Sequence, residues 1–292
     1  MKSFLNLTKS GIVCFVLISG LAGFALSMPP HEPWDFARLT WTLLALYFFS
    51  AGSFAINQAQ EWQIDKEMPR TVNRPIPSGK VSLAQAWAVG VGFVVLGVLT
   101  GSMVSPLIIL LGLLTVVLYN GLYTLYWKRH LAFGAVPGAI PGAMPVVIGY
   151  AGNTSNLFQA DLIYAFLIMF LWQMPHFWTL AIRFKDDYSK GGIPVLPLIL
   201  GTGRTLVHIG IYMVAYVTLA IASPWFTSTY WVYLFVVVPF TLKVLYEFYR
   251  YYKAGAEKRW LPFFLWTNFS VLVFLIAPVL DRWYRLYITP GS

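Results

Sequence analysis

Long uncharged apolar runs alternate with short polar connections along the whole chain. The runs reach about 20 residues, the length that an α-helix needs to cross the hydrocarbon core of a bilayer. Their apolar positions are continuous rather than alternating with a period of two, which favours helices over the strands of a barrel. The predicted spans are 11–28, 39–58, 83–104, 107–127, 132–151, 162–182, 206–225, 230–249 and 261–280. The pattern predicts an all-α polytopic membrane protein, a single domain over residues 1–292 with about nine transmembrane helices.

The composition agrees with this interpretation. Hydrophobic residues make up 58% of the chain and charged residues only 11%, whereas about a quarter of a soluble domain is charged. The first run is longer than the core of a signal peptide, which has about 7–15 residues. We therefore expect it to be retained as a span, with cleavage as the alternative. The single cysteine, Cys14, excludes an internal disulfide.

The distribution of basic residues predicts how the chain crosses the membrane. The net charge of +9 would suggest nucleic acid in a soluble protein, but these side chains lie between the predicted spans, so no nucleic-acid partner is expected. All but three of the 20 Lys and Arg residues fall on one side; the exceptions are Arg38, Arg282 and Arg285. The positive-inside rule then places the N-terminus in the cytoplasm and the C-terminus outside. Because no transit peptide precedes the first span, we expect a prokaryotic plasma (inner) membrane.

Polar side chains recur at helical spacing after the second span. Asn57, Glu61 and Asp65 are four residues apart, so they lie on one face of a helix that Pro69 ends. Two carboxylates on one face repel each other, and Mg²⁺, which binds one or two carboxylates together with water and phosphate oxygens, would offset that repulsion. Arg70 and Arg74 follow, and guanidinium groups bind phosphate oxygens. The stretch predicts a Mg²⁺–diphosphate site; an ordinary solvated helix end with ion pairs is the alternative.

A second cluster of charges follows the sixth span, on the same predicted side of the membrane. Arg183, Lys185, Asp186 and Asp187 lie there, ahead of a Gly/Pro-rich stretch. The two clusters could face each other across one cavity and bind metal and diphosphate from both sides. Lys128, at the end of the fourth span, is either a third wall of this site or an anchor at the membrane edge.

His176 lies inside the sixth predicted span, directly after Pro175. An ionisable side chain at that depth is costly unless it faces a cavity or a partner. It is a candidate heme ligand; a proton shuttle, or a hydrogen bond to a carbonyl group freed by the proline, are the alternatives.

These stretches resemble the UbiA-type intramembrane prenyltransferases. Asn57, Glu61 and Asp65 resemble the family's Asn-x3-Asp-x3-Asp motif. The runs 68–79 and 172–197, and the Tyr-Thr stretch that ends in Lys128 and Arg129, resemble the branch of the family that farnesylates heme B. The order of the motifs and their spacing make the likeness specific.

The resemblance implies a helix bundle around a membrane-open cavity, with Mg²⁺ at its cytoplasmic mouth. The implied substrates are farnesyl diphosphate and heme B, and the products are heme O and diphosphate, for the assembly of heme-copper oxidases. The residues implied to hold the metal are Asn57, Glu61, Asp65, Asp186 and Asp187, all but Asp186 also being predicted catalytic residues. Those predicted to bind the diphosphate are Arg70, Arg74, Lys128, Arg129 and Lys185.

The sequence departs from the family's motifs at two positions, and two alternative functions remain open. Glu61 stands where the family usually has Asp, and Arg183 precedes Asp187 where the second motif commonly has a carboxylate, so the number of Mg²⁺ ions is open. A prenyltransferase of the same family that acts on an aromatic quinone precursor is one alternative. An ion-coupled transporter is another, but it predicts charged residues deep in several spans, and few are seen beyond His176 and Lys243. The oligomeric state is also open.

Overall fold

The computed structural model describes residues 2–29, 31–256 and 258–287, and every regular element within them is helical. The helices are α1 (Lys2–Leu7), α2 (Ser10–Ser27), α3 (Phe36–Glu67), α4 (Leu83–Ser102), α5 (Pro106–His130), α6 (Ala135–Tyr150), α7 (Ala160–Arg183), α8 (Lys185–Lys190), α9 (Leu196–Ile199), α10 (Gly201–Ala222), α11 (Trp231–Lys253) and α12 (Trp260–Tyr287). Eight of these are long and apolar enough to cross a membrane. The predicted all-α membrane fold is confirmed. Pro30 and the C-terminal end of the chain fall outside the described residues.

The remaining predicted span corresponds to α6, which is shorter than expected. It has 16 residues and is therefore about 24 Å long. The chain turns at 131–134, where the Gly134 amide donates to the Leu131 carbonyl, so the helix begins three residues after the predicted boundary. Pro141 and Pro145 lie inside it.

Helix α3 extends well beyond its predicted span. The apolar pattern ends at Gln58, whereas the helix continues to Glu67 and stops at Met68, whose backbone is extended. Proline disfavours helical backbone in the residue before it, so Pro69 accounts for this end. The extension places Asn57, Glu61 and Asp65 on one continuous helix, as their spacing predicted.

Glycines allow helices to approach closely in the first half of the bundle. A Cβ at Gly149 on α6 would collide with the Gly20 carbonyl of α2, and a Cβ at Gly138 would collide with the ring of Tyr123. Small residues at helix interfaces allow such backbone contact in membranes.

The second half of α5 is π-helical over Val117–Trp127 and runs parallel to α3. The side-chain amide of Asn120 donates to the Ser53 carbonyl at 2.9 Å, and that of Asn57 donates to the Thr124 hydroxyl at 3.1 Å. Both bonds join residues 67 positions apart, so the two helices keep one register. Stretches of π-helix are frequent at functional sites, and this one leads directly to Lys128.

The larger part of the core lies in the second half, among α6, α7, α10, α11 and α12. Buried polar groups connect these helices at the end of the bundle where α11 begins. The Tyr164 and Tyr233 hydroxyls are 2.6 Å apart, and the buried Asp281 carboxylate accepts hydrogen bonds from the amides of Tyr230 and Tyr233. These bonds tie α12 to the start of α11.

Candidate active site

The predicted stripe on α3 is buried although all of its members are polar. Asn57, Glu61 and Asp65 are 2%, 2% and 1% exposed. A buried carboxylate is unfavourable unless it is paired and hydrogen-bonded. Each of the three side chains meets a basic side chain from a different segment: Lys9 before α2, Lys128 at the end of α5, and Arg74 after α3.

Glu61 is paired with Lys128. The Lys128 ammonium donates to both carboxylate oxygens, at 2.6 and 2.8 Å. These residues are again 67 positions apart, so the pair is the third contact in the register set by Asn120 and Thr124. Lys128 therefore lies directly against the α3 stripe, and its role toward a diphosphate stays a prediction.

Asp65 is paired with Arg74. One guanidinium nitrogen of Arg74, Nη1, donates to both Asp65 oxygens, at 2.9 and 2.8 Å. The turn between them is held by the Thr71 hydroxyl, which donates to the Asp65 carbonyl at 2.9 Å. The compact turn after α3 thus folds Arg74 back onto the carboxylate that precedes it by nine residues.

Lys9 is the site residue that the sequence prediction missed. Its ammonium donates to the Asn57 side-chain oxygen at 3.0 Å and lies 5.1 Å from the centre of the Phe54 ring. The backbone at Lys9 is left-handed, with φ of 50°, where α1 meets α2. Burial lowers the pKa of the Lys9 ammonium to about 7, and the neighbouring Arg74 guanidinium adds to the effect. The only local signal for Lys9 is a basic residue directly before an apolar run, and such a residue is ordinarily explained by the positive-inside rule.

An open cavity of about 440 Å³ lies beside these pairs. It is bounded by the start of α2 on one side and by the turn after α3 on the other. Its polar lining includes Lys9, Arg70, Asn73 and Arg74. Three cationic side chains around one cavity form a site suited to an anion with several oxygens.

The second predicted cluster contacts the first. The Asp187 carboxylate on α8 accepts a hydrogen bond from the Arg70 amide at 3.0 Å. The Arg70 guanidinium lies over the rings of Phe184 and Tyr188, at 5.0 and 5.7 Å. These contacts join residues more than 100 positions apart and bring the two predicted clusters together; a shared role in binding metal and diphosphate stays a prediction.

Three other predicted residues are not the partners of the paired carboxylates. Arg129 donates to the backbone carbonyls of Thr124 and Gln60, at 3.2 and 3.1 Å, so it secures the end of α5. Asp186 is exposed and Lys185 is half-buried at the start of α8. Their roles toward metal or diphosphate stay predictions.

His176 lies among aromatic rings of α7 and α12. Its Nδ1 is 2.8 Å from the Asn268 side-chain oxygen. The Asn268 amide nitrogen donates to the Phe264 carbonyl at 2.6 Å, so the oxygen of Asn268 is the acceptor and His176 Nδ1 carries the proton. Nε2 is then the unprotonated nitrogen of the neutral ring. The Trp172 and Phe264 rings lie 4.8 and 4.9 Å from the imidazole.

The donor set of the α3 stripe fits Mg²⁺ as part of a larger coordination shell. Within the described ranges, no three His, Cys, Asp or Glu side chains lie close enough together to hold a metal ion. Glu61, Asp65 and the amide oxygen of Asn57 do provide hard oxygen donors along about 12 Å of one helix face. Mg²⁺ is commonly bound by one or two carboxylates, and water and substrate phosphates supply its other ligands.

Comparison with known proteins identifies the class of protein to which this fold and site correspond. Residues 16–268 match the UbiA prenyltransferase family, so the chain belongs to that family of intramembrane prenyltransferases. It is 51% identical over 288 residues to the protoheme IX farnesyltransferase of Bdellovibrio bacteriovorus, and the match covers 99% of both chains. It is 38% identical over 221 residues to the protoheme IX farnesyltransferase of Klebsiella pneumoniae, covering 74% of this chain and 72% of the relative.

Solved structures support the fold. A UbiA homologue from Archaeoglobus fulgidus bound to DMAPP and Mg²⁺ superimposes with a TM-score of 0.66 at 18% identity, covering 94% of this chain and 98% of that one. This similarity confirms the arrangement of helices.

Proposed function

We propose that this protein transfers the farnesyl group of farnesyl diphosphate to a vinyl group of heme B and so forms heme O. The observation that carries the proposal is its 51% identity to a protoheme IX farnesyltransferase over 99% of both chains. Residues 1–292 then act as one catalytic domain. Analysis of the hemes in cells that depend on this chain tests the proposal.

Mg²⁺ and the diphosphate are assigned to the α3 stripe and the cavity beside it. Asn57, Glu61 and Asp65 would hold the ion, which when bound neutralises charge on the diphosphate. Asp187, with Asp186 next to it, would approach from the opposite loop. The basic groups lining the site would contact the diphosphate oxygens; they are Lys9, Arg70, Arg74 and Lys128.

The residues of the site would promote departure of the diphosphate. The bond between C1 of the farnesyl group and the diphosphate oxygen breaks, and the electron pair leaves with the oxygen. Cationic side chains aimed at the charge that develops on that oxygen lower the barrier. The terminal carbon of the heme vinyl group then forms a bond to C1. Water adds to the adjacent carbon and loses a proton, giving the hydroxyethylfarnesyl chain.

An aromatic cleft adjoins the diphosphate end of the site. Lys128 lines it together with Tyr123, Phe177, Trp178 and Tyr188. An allylic cation is attracted to the faces of aromatic rings, and an apolar wall excludes water that would capture the cation early. We propose that the aromatic rings at this cleft face C1 of the farnesyl group, where the positive charge develops.

His176 is the candidate ligand for the heme iron. The acceptor oxygen of Asn268 fixes its tautomer and leaves Nε2 available. Histidines that bind metals usually donate their other ring N–H to an oxygen acceptor in this way. Trp172 and Phe264 beside the imidazole provide flat apolar surfaces against which a porphyrin could stack.

We further propose that the paired carboxylates lie at the cytoplasmic side of a prokaryotic inner membrane. The basic residues concentrate in the connections at that end, as the positive-inside rule requires. The N-terminus would then be cytoplasmic and the C-terminus external. Farnesyl diphosphate, which carries its charge in the headgroup, would enter from the cytoplasmic side with its chain in the bilayer.

A further inference from the structure

The pairing of the two carboxylates raises the question of how a divalent cation reaches them. Both Glu61 oxygens accept from Lys128, and both Asp65 oxygens accept from Arg74. Both carboxylates therefore already have cationic partners within the folded chain. A metal ion can bind them only if Lys128 and Arg74 give up some of these contacts.

The two sides of each pair differ in their freedom to move. The carboxylate side chains are 3% and 1% exposed, whereas those of Lys128 and Arg74 are 20% and 25% exposed. Glu61 and Asp65 are fixed on a long helix, but Lys128 and Arg74 lie at the end of a helix and in a turn. The basic groups are thus the partners that can leave, and Arg74 lines the 440 Å³ cavity.

The charge of the site opposes the entry of a metal ion alone. Lys128 and Arg74 already neutralise the two negative charges of Glu61 and Asp65, and Lys9 beside them adds positive charge when it is ionised. A divalent cation alone would leave an excess of at least two positive charges in a largely buried site, where repulsion between like charges is poorly screened. A fully ionised prenyl diphosphate carries three negative charges and therefore offsets the charge of the divalent cation with which it binds.

We propose that Lys128 and Arg74 are resident counter-ions that exclude the metal until the diphosphate arrives. The diphosphate oxygens then accept hydrogen bonds from Lys128 and Arg74, and the freed Glu61 and Asp65 bind the divalent cation. Metal and diphosphate therefore bind with strong positive coupling. This inference rests on the proposed function only in requiring a prenyl diphosphate substrate; it does not depend on the acceptor.

Mn²⁺ binding followed by electron paramagnetic resonance tests the coupling directly. The full-length protein is titrated with Mn²⁺, alone and with an equimolar unreactive thiolo analogue of farnesyl diphosphate. A titration of the analogue without protein is subtracted to correct for its complex with Mn²⁺ in solution. We expect the analogue to raise Mn²⁺ affinity by roughly 10- to 100-fold, the usual range for coupled ligands. Equal affinity with and without the analogue would overturn the inference.

Lys128→Met provides the second arm of the test. It removes one positive charge and frees Glu61, so Mn²⁺ alone should bind more tightly than to the wild type, and the gain from the analogue should shrink. Lys243→Met is the matched control, because Lys243 forms a similar pair with the buried Glu247 at 2.7 Å on α11. It should leave both Mn²⁺ affinities unchanged. A Lys128→Met protein that elutes as a folded species but binds Mn²⁺ alone no better than the wild type would contradict the role of Lys128.

If Lys128→Met does not fold, the wild-type titrations still decide the matter. A protein that makes heme O and yet binds Mn²⁺ equally well without the analogue would contradict this inference alone. A protein that binds no analogue at all would contradict both the inference and the proposed function.

Discussion

The Lys128 ammonium lies 2.6 and 2.8 Å from the two carboxylate oxygens of Glu61. This contact repeats the 67-residue interval of the bond between Asn57 and Thr124. The register between α3 and α5 thus fixes the positions of two side chains of the site, the Asn57 amide and the Glu61 carboxylate. The predictions below follow from this arrangement and from the residues that adjoin it.

Glu61→Gln should lower kcat/KM for farnesyl transfer by roughly 10²–10³-fold, the effect of losing one group that stabilises developing charge. The substitution keeps the size of the side chain but removes the charge that would hold the metal and that pairs with Lys128. Steady-state kinetics with farnesyl diphosphate and heme B provide the measurement. Glu67→Gln, on the exposed end of the same helix, is the control and should retain wild-type activity. Activity in Glu61→Gln equal to that of the control would remove Glu61 from the site.

Lys9 should make the stability of the ligand-free protein depend on pH. Its pKa is about 7 in the folded chain and near 10.5 when unperturbed. Between these values the unfolded chain binds a proton that the folded chain does not, so stability rises with pH across the window. Thermal unfolding from pH 7 to 10 should give a shallower rise for Lys9→Met than for the wild type. Lys80→Met, at an exposed lysine, should match the wild type; the same slope in Lys9→Met would contradict the assignment.

The sequence predicted those parts of the site whose residues lie close together along the chain, and it missed a contact between distant segments. The spacing of Asn57, Glu61 and Asp65 predicted their shared helix face, because helical periodicity is a local property. The position of Pro69 likewise predicted where α3 ends. Lys9 was missed because its contact with Asn57 joins residues 48 positions apart, and nothing in the local pattern separates it from a topological charge.

The all-α membrane fold was also predictable from local sequence. Apolar runs define spans because lipid requires each helix to satisfy its own backbone. The same pattern carries no signal for the π-helical backbone of Val117–Trp127 or for its hydrogen bonds to α3 through Asn120 and Thr124. The apolar pattern placed the end of the second span at Gln58, whereas helix α3 continues to Glu67. Polar residues mark where a helix leaves the lipid, but the helix itself can continue beyond that point.

His176 should give bound heme a recognisable spectrum. If Nε2 ligates the iron, ferric heme B added to the purified protein should show the absorption and electron paramagnetic resonance signals of histidine ligation. His176→Ala should lose these signals, and Asn268→Ala should weaken them, because the imidazole loses the acceptor that fixes its tautomer. His208→Ala is the control, since His208 also lies among aromatic rings, those of Phe133 and Trp178. An unchanged spectrum in His176→Ala would exclude this ligand.

The orientation in the membrane can be tested with single cysteines placed in a Cys14→Ser background. Ser78 and Asn156 are both exposed and lie in connections predicted to face opposite sides. A membrane-impermeant thiol reagent applied to intact cells, with the outer membrane permeabilised, should label Asn156→Cys and spare Ser78→Cys. Disruption of the inner membrane should make both reactive. Labelling of Ser78→Cys in intact cells would reverse the proposed topology.

The measurement that tests the central claim most directly is heme extraction from cells that lack their own heme O synthase and express this chain. The account predicts a new, more hydrophobic heme whose mass corresponds to heme B with an added hydroxyethylfarnesyl chain. Cells that express Asp65→Ala at the same level should contain heme B alone, since this variant loses a carboxylate to which we assign the metal. Unmodified heme B in cells with the wild-type chain, together with accumulation of a prenylated aromatic acid, would contradict the assigned acceptor.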